Sequence, residues 1–352
     1  MRSLPTINVH KFGGAALADA DAIRRVIKII AGDGAQRVVV ASAMLGVTDE
    51  LLAIAHTPVA SEFSDTALDG LKHKHLQVTL ALGLDDKAFQ SQVAKSFDEL
   101  RHLHARIVAE HEVTPATSDL FVSYGDRLAA RILAAALSIT GTPAQFVEAV
   151  DVVRADGPHG NASPDIEQTT AAADATLRPL LERGLVPVLP GFIGRSPRGE
   201  VVTLGRGGSD LTATVLGRAL GARDVILWKD VPGLLTADPR VVPDARLIPV
   251  LHVREASELA YYGAKVLHPR SLIALQPGTR LIIRPFEDPS AAGTEIVVER
   301  ERKAVRRTRR PVKALTAISG QTLVTIAGNG MVGVPGVAAR ALGARARARG
   351  SG

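Results

Sequence analysis

The chain has 352 residues, a net charge of +6, 46% hydrophobic residues and only 3% aromatic ones, which suits one large domain plus a smaller piece with a core of Val, Leu, Ile and Ala. The absence of Cys excludes disulfides, thiolate metal sites and a cysteine nucleophile, and fits a reducing compartment. Lys11 and Gly13-Gly14 interrupt any signal-peptide pattern, and no apolar run approaches the ~18 residues of a membrane span, so a cytoplasmic chain is expected.

The positive charge belongs to the end of the chain. Residues 299–352 hold 12 Lys/Arg against 2 Asp/Glu, while the rest holds 30 against 34. The basic stretch lacks interleaved aromatic residues, so nucleic acid is not an expected partner.

In chain order, residues 6–12 read as a strand ending at Gly13-Gly14, followed by a helix from about Asp19 to Ile30. Arg37 to Ala41 reads as a buried parallel strand, and Asp49 opens another helix. Residues 62–112 have helical periodicity, with Leu68, Leu71, Leu76, Leu80, Phe97, Leu100, Leu103 and Ile107 apolar among charged positions. Asp126 to Ile139 reads as a helix closed by Gly141 and Pro143. Residues 186–192, 225–228, 281–284 and 295–298 read as strands. This alternation predicts an α/β fold with a mainly parallel sheet and ligand loops at the strands' carboxyl ends. Residues 299–313 form a charged linker, beyond which a strand over 322–326 and a helix over 334–342 precede a low-complexity, disordered Ala/Arg end.

The richest stretch is Thr203-Leu204-Gly205-Arg206-Gly207-Gly208-Ser209-Asp210, which leads into a helical run from Leu211 to Leu220. Its glycines let backbone N–H groups approach a ligand, and Ser209 or Asp210 stands where a helix cap is expected. Arg206 suits a carboxylate or phosphate, Asp210 a cation, so the loop suits a zwitterion; taken alone it reads equally as a turn. Other reactive loops hold Lys11 with Gly13 and Gly14, Ser42 with Thr48, and Asp230 to Arg240; Gly263-Ala264-Lys265 follows a helix. Lysines, an arginine and glycine loops suit polyphosphate and phosphoryl transfer, which needs positioning and cations more than covalent chemistry.

Other signals point elsewhere or nowhere. The P-loop and protein-kinase signatures are absent. Gly328-Asn329-Gly330-Met331-Val332-Gly333 fits G-x-G-x-x-G, but the 19 residues after it cannot complete a dinucleotide-binding unit. His73, His75, His102, His104 and His111 cluster in the helical insert at spacings that point to different helix faces, so no metal site is expected there.

Taken in order, Lys11-Phe12-Gly13-Gly14, Ser42-Ala43 through Val47-Thr48-Asp49, Ser123-Tyr124-Gly125-Asp126-Arg127-Leu128, Thr203 to Asp210, Trp228-Lys229-Asp230-Val231-Pro232-Gly233, Asp238-Pro239-Arg240 and Gly263-Ala264-Lys265-Val266-Leu267-His268-Pro269 closely resemble the aspartate kinases of the amino-acid kinase superfamily. The resemblance runs from about Ile7 to Val298. It implies a three-layer αβα kinase domain over residues 1–300, a basic linker over 301–318 and an incomplete ACT-like segment over 319–352. It further implies phosphorylation of the side-chain carboxylate of L-aspartate by ATP with Mg²⁺, the opening step toward lysine, threonine, methionine and diaminopimelate, in a homodimer.

By matched position, Lys11 would stabilise the transferring phosphoryl group, with Gly13 and Gly14 beside ATP. Ser42, Thr48, Asp126, Arg206 and Ser209 would line the substrate pocket, with Arg206 on the α-carboxylate. Asp210 would orient the α-amino group or Lys11. Lys229, Asp230, Arg240 and Lys265 would hold ATP, and no residue is expected to form a metal site of its own. The chain departs from the family pattern at Ala15-Ala16, where Thr-Ser is usual, at Asp126 for Glu, at Lys229 for Thr and at Leu235 for an aromatic. Residues 242–246 are most like the aspartate kinases fused to a second enzyme, and the Ala/Arg end reads as a truncation or frameshift. The alternatives are a weakly catalytic amino-acid- and ATP-binding homologue, or a kinase of another carboxylate.

Overall fold

The computed structural model describes residues 6–57, 62–264, 266–298, 312–318, 320, 322, 336–337, 339–340 and 342–344. Residues 1–317 and 318–352 form separate compact units, and the elements below all belong to the first. The predicted ACT-like strand lies outside the described residues except for Thr322, and most of the basic linker does too.

The chain opens with β1 (Ile7–Phe12), a 3-10 turn (Gly14–Leu17), α1 (Ala20–Gly32) and β2 (Gln36–Ala41). Asp19 caps α1 by accepting from the Ala22 N–H at 2.8 Å, so the predicted start is off by one residue. The second helix, α2 (Val47–Ala55), begins two residues before Asp49, after Gly46 takes a left-handed φ of 82°. The helical insert is a pair, α3 (Glu62–Ala81) and α4 (Lys87–Glu110). His75 is buried there against Phe97, with ring centroids 5.3 Å apart, and His104 reaches the Thr57 carbonyl at 3.1 Å. These histidines serve packing between helices.

The helix predicted from Asp126 begins eleven residues earlier: α5 runs from Pro115 to Ile139, capped by Thr114 with Pro at its first position. Its early turns are polar enough to hide the periodicity that sequence reading depends on. There follow β3 (Ala144–Phe146), α6 (Ala149–Val152), β4 (Ala155–Asp156), β5 (Ser163–Pro164), α7 (Ile166–Thr176) and α8 (Arg178–Glu182). Next come β6 (Val186–Pro190), β7 (Ile193–Arg195), β8 (Val201–Thr203), α9 (Gly208–Leu220) and β9 (Asp224–Lys229). The remainder is β10 (Val250–His252), α10 (Val253–Tyr261), a 3-10 turn (Pro269–Leu272), β11 (Arg280–Pro285) and β12 (Thr294–Val297).

Eight strands form one sheet in the order β10-β12-β11-β9-β1-β2-β6-β3. Every pair is parallel except β11 with β12. Strand alternation builds the layers. Val38, Val40, Val225 and Leu227 face a core that includes residues of α7 and α9, while Val39, Ala41, Ile226 and Trp228 face one that includes residues of α1 to α5. The result is a three-layer α/β architecture. From β1 the order runs outward through β2 on one side and β9 on the other, so the topological switch point lies between β1 and β9, where open α/β sheets bind ligands.

Candidate active site

Lys11 is the last residue but one of β1, and Lys229 is the last of β9. Both belong to the alternate positions whose neighbours, Val9 and Leu227, pack toward α9. They converge on Asp210, in the first turn of α9. Lys11 Nζ lies 2.8 Å from Asp210 Oδ1, and Lys229 Nζ donates to Asp210 Oδ2 at 2.6 Å. Asp210 is 4% exposed and Lys11 6%, so the cluster is almost dry.

Burial lowers the Lys11 pKa, against the attraction of Asp210, and the Lys229 charge lowers it further. Burial by itself raises the Asp210 pKa, but the two ammonium groups outweigh it and hold the carboxyl at about 2. Asp210 therefore remains an anion, with one ammonium on each oxygen. In this arrangement Asp210 holds the two lysines together at the strand ends.

The glycine loop delivers Asp210 to this position. Gly205 and Gly207 take φ of 74° and 70°, and Gly207 caps α9, so Ser209 and Asp210 lie inside the helix instead of capping it. A Cβ at Gly207 would stand 2.4 Å from His268 Cβ, and one at Gly208 would stand 2.7 Å from Phe192 Cδ2. Phe192 itself has φ of 71°, rare for a bulky residue, and its carbonyl accepts from the Leu204 N–H at 2.8 Å.

Asp126, 2% exposed on α5, forms a second buried acid. Ser209 Oγ donates to its Oδ1 at 3.4 Å. Burial pushes the Asp126 carboxyl up to about 7, against the pull of Lys11 and a hydrogen bond from the Ala43 backbone. Ser42 and Thr48 are half-buried at the neighbouring strand end and the start of α2, and the Ser42 N–H donates to the Phe12 carbonyl at 3.1 Å. Gly13 and Gly14 fit the same edge closely: a Cβ on Gly13 would lie 3.6 Å from Lys11 Nζ, and one on Gly14 would lie 3.1 Å from the Ala43 carbonyl oxygen.

The remaining predicted residues stand apart. Arg206 is exposed on the loop and makes no hydrogen bond or ion pair with any described residue. Asp230 is exposed beside Lys229. Arg240 is held by Asp238 of its own loop, through Nη2 at 2.6 Å and Nε at 3.0 Å. Lys265 lies outside the described residues.

Two residues that sequence reading missed hold the loop in place. Asp119, 4% exposed, accepts from the Thr203 N–H and hydroxyl at 2.9 and 2.6 Å and from the Gly160 N–H at 3.0 Å. It lies two helical turns before Asp126 on the same face of α5, in the part of the helix that the sequence pattern does not reveal. Arg270 reaches the Leu204 carbonyl at 2.5 Å, the Ala162 carbonyl at 2.6 Å and Asn161 Oδ1 at 2.6 Å.

The model of the amino acid kinase family matches residues 6–285. The chain belongs to the aspartokinases of that family. It is 34% identical to lysine-sensitive aspartokinase 3 of Escherichia coli over 345 residues, covering 97% of this chain and 74% of that protein. It is 33% identical to chloroplastic aspartokinase 1 of Arabidopsis thaliana, over 94% of this chain and 58% of that one. The crystal structure of E. coli aspartokinase III with aspartate and ADP superposes with a TM-score of 0.78 at 34% identity, covering 84% of this chain and 65% of that one. Chloroplastic bifunctional aspartokinase/homoserine dehydrogenase 2 of A. thaliana is also similar, at 31% identity, but this chain spans 37% of its length.

Proposed function

We propose that the chain transfers the γ-phosphoryl group of ATP to the side-chain carboxylate of L-aspartate, giving 4-phospho-L-aspartate and ADP. The observation that carries the proposal is the Lys11–Asp210–Lys229 bridge at the switch point, in a chain one-third identical to an aspartokinase whose crystal structure holds aspartate and ADP. A side-chain carboxylate oxygen of the substrate forms the new P–O bond as the bond to the ADP oxygen breaks, and charge spreads over the three remaining phosphoryl oxygens. Lys11 and Lys229 each have N–H groups left over from Asp210 to meet that charge, and their fixed places remove the cost of reorganising them.

Arg206, free of partners among the described residues, is assigned to the substrate α-carboxylate, and Asp126 with Ser209 to its α-amino group. Ser42 and Thr48 complete that pocket. Gly13, Gly14, Asp230, Arg240 and Lys265 are assigned to ATP. The described residues contain no group of three or more metal-ligating side chains. Mg²⁺ is assigned to the ATP phosphates, where it would neutralise phosphate charge.

Trapping the acyl phosphate with hydroxylamine tests the proposal in one assay. Aspartyl hydroxamate should form only with ATP, Mg²⁺ and aspartate all present; bound ATP with no product above background would leave a nucleotide-binding homologue instead.

A further inference from the structure

Behind the catalytic edge, on the α1 side of the sheet, lies a cavity of about 920 Å³ that the phosphoryl-transfer reading does not use. Its floor is apolar. Ile226, Trp228, Ile282 and Phe286 are 3–7% exposed, so only a slender occupant reaches them, which disfavours a broad protein surface. The Trp228 ring is nearly parallel to those of His10 and Phe12, with centroids 6.3 and 6.0 Å away, so the floor is a flat aromatic strip.

One end of the cavity lacks a hydrogen-bond donor. Asn8 is 3% exposed and gives its Nδ2 to Asp33 Oδ2 at 2.7 Å, but its Oδ1 has no partner. The neighbouring polar groups are already committed. Trp228 Nε1 donates to His10 Nδ1 at 3.2 Å, and His10 Nε2 lies 2.8 Å from Asp33 Oδ2. A buried, unpaired acceptor in such a place calls for an N–H or O–H from an occupant.

The rim carries more cations than anions. Arg25, Lys28 and Arg284 line the cavity without an ion pair to any described residue, and Arg284 Nε is buried with no partner. Arg25 lies over the Phe286 ring, 5.8 Å from its centroid. The acids nearby are mostly engaged: Asp33 by His10 and Asn8, Asp224 by Arg223 and Arg280, and Glu295 by Arg280. Glu287 is the one lining acid without a described partner, against three free cations.

We propose that this cavity binds a small aromatic carboxylate that carries a hydrogen-bond donor on its ring. The ring lies along Trp228 and Phe286, the carboxylate meets Arg284, Lys28 and Arg25, and the donor satisfies Asn8 Oδ1. Strand register separates Asn8 from Arg284 by four residues along the strands and two strands across. That is roughly 16 Å between backbones, a span to be bridged by one ring with a short acid chain together with the reach of the Arg284 side chain.

Trp228 is the only tryptophan in the chain, so its emission reports on the cavity directly. The full-length chain, excited at the red edge of indole absorption, is titrated with 3-(4-hydroxyphenyl)propanoate as the probe. A saturable change is expected, weakened about tenfold or more in Arg284→Ala and in Lys28→Ala, each the size of one charge-assisted contact. The methyl ester should not bind, and 3-phenylpropanoate, lacking the donor, should bind several-fold more weakly. Circular dichroism melts establish that both variants fold. No saturable change into the millimolar range, equal binding of acid and ester, or unchanged affinity in Arg284→Ala would each overturn the proposal. So would loss of probe binding with a doubling of mass by light scattering as the chain is concentrated, because the cavity would then be an interface between copies.

Discussion

Asp210 sets the behaviour of the site because, among the described residues, it alone pairs with both lysines. Lys11→Ala should lower the rate of aspartyl hydroxamate formation by about 10²–10³-fold, the usual loss for one transition-state donor, and should also lower the melting temperature, because Asp210 stays buried with one ammonium fewer. The two buried acids should respond to pH in opposite senses. Asp210 is depressed to about 2, so it contributes stability above its unfolded value near 4, and that stability is lost as pH falls through about 2. Asp126 is raised to about 7, so the folded state keeps a proton that the unfolded chain has released. Stability is therefore lost as pH rises from about 4 to about 7, and the loss stays constant above that. Urea unfolding of Asp126→Asn should show a greater gain over the parent at pH 8 than at pH 5; equal gains would mean that Asp126 is ionised throughout. The reactive residue types were legible in the sequence because lysine, acid and glycine next to strand ends have few other uses. Their division of labour was not, because only the fold shows that Lys229 reaches the same carboxylate as Lys11.

At the scale of elements, the glycine loop and α9 act as one rigid device. Gly207 holds a left-handed conformation with His268 packed against the place of a Cβ. Gly207→Ala should cost at least about 1–2 kcal/mol from the backbone alone, read by chemical denaturation, and should raise the KM for aspartate more than that for ATP. Sequence periodicity located β1, β2 and β9 to within a residue, because each is an apolar run bounded by glycine or polar turns, while α9 begins three residues before the predicted Leu211, at Gly208. It failed on α5, whose first eleven residues carry no clear apolar stripe and are helical because Thr114 caps them and the helix packs against α2 and α4. That failure concealed Asp119, and with it the anchor of the Thr203 strand end.

Across the whole molecule, both hydrophobic cores lie within residues 1–317, on the two faces of one sheet. A chain ended at Ala317 should therefore unfold in one cooperative transition with a midpoint within a few degrees of the full chain, as measured by circular dichroism; a non-cooperative melt would show that residues 318–352 complete the core. None of the described helices is long and apolar enough to cross a membrane. By itself the sequence determined the α/β class and the residue types of the site, because strand and helix periods, glycine positions and the order of motifs are local properties of the chain. Tertiary structure alone decided which charges meet. Lys11 and Lys229 are 218 residues apart, and only the β1–β9 pairing at the switch point sets them on one carboxylate. The cavity behind them has the same origin: Asn8, Trp228 and Arg284 share a face only because three strands distant in sequence lie side by side, and burial then leaves the Asn8 oxygen without a partner among the described residues.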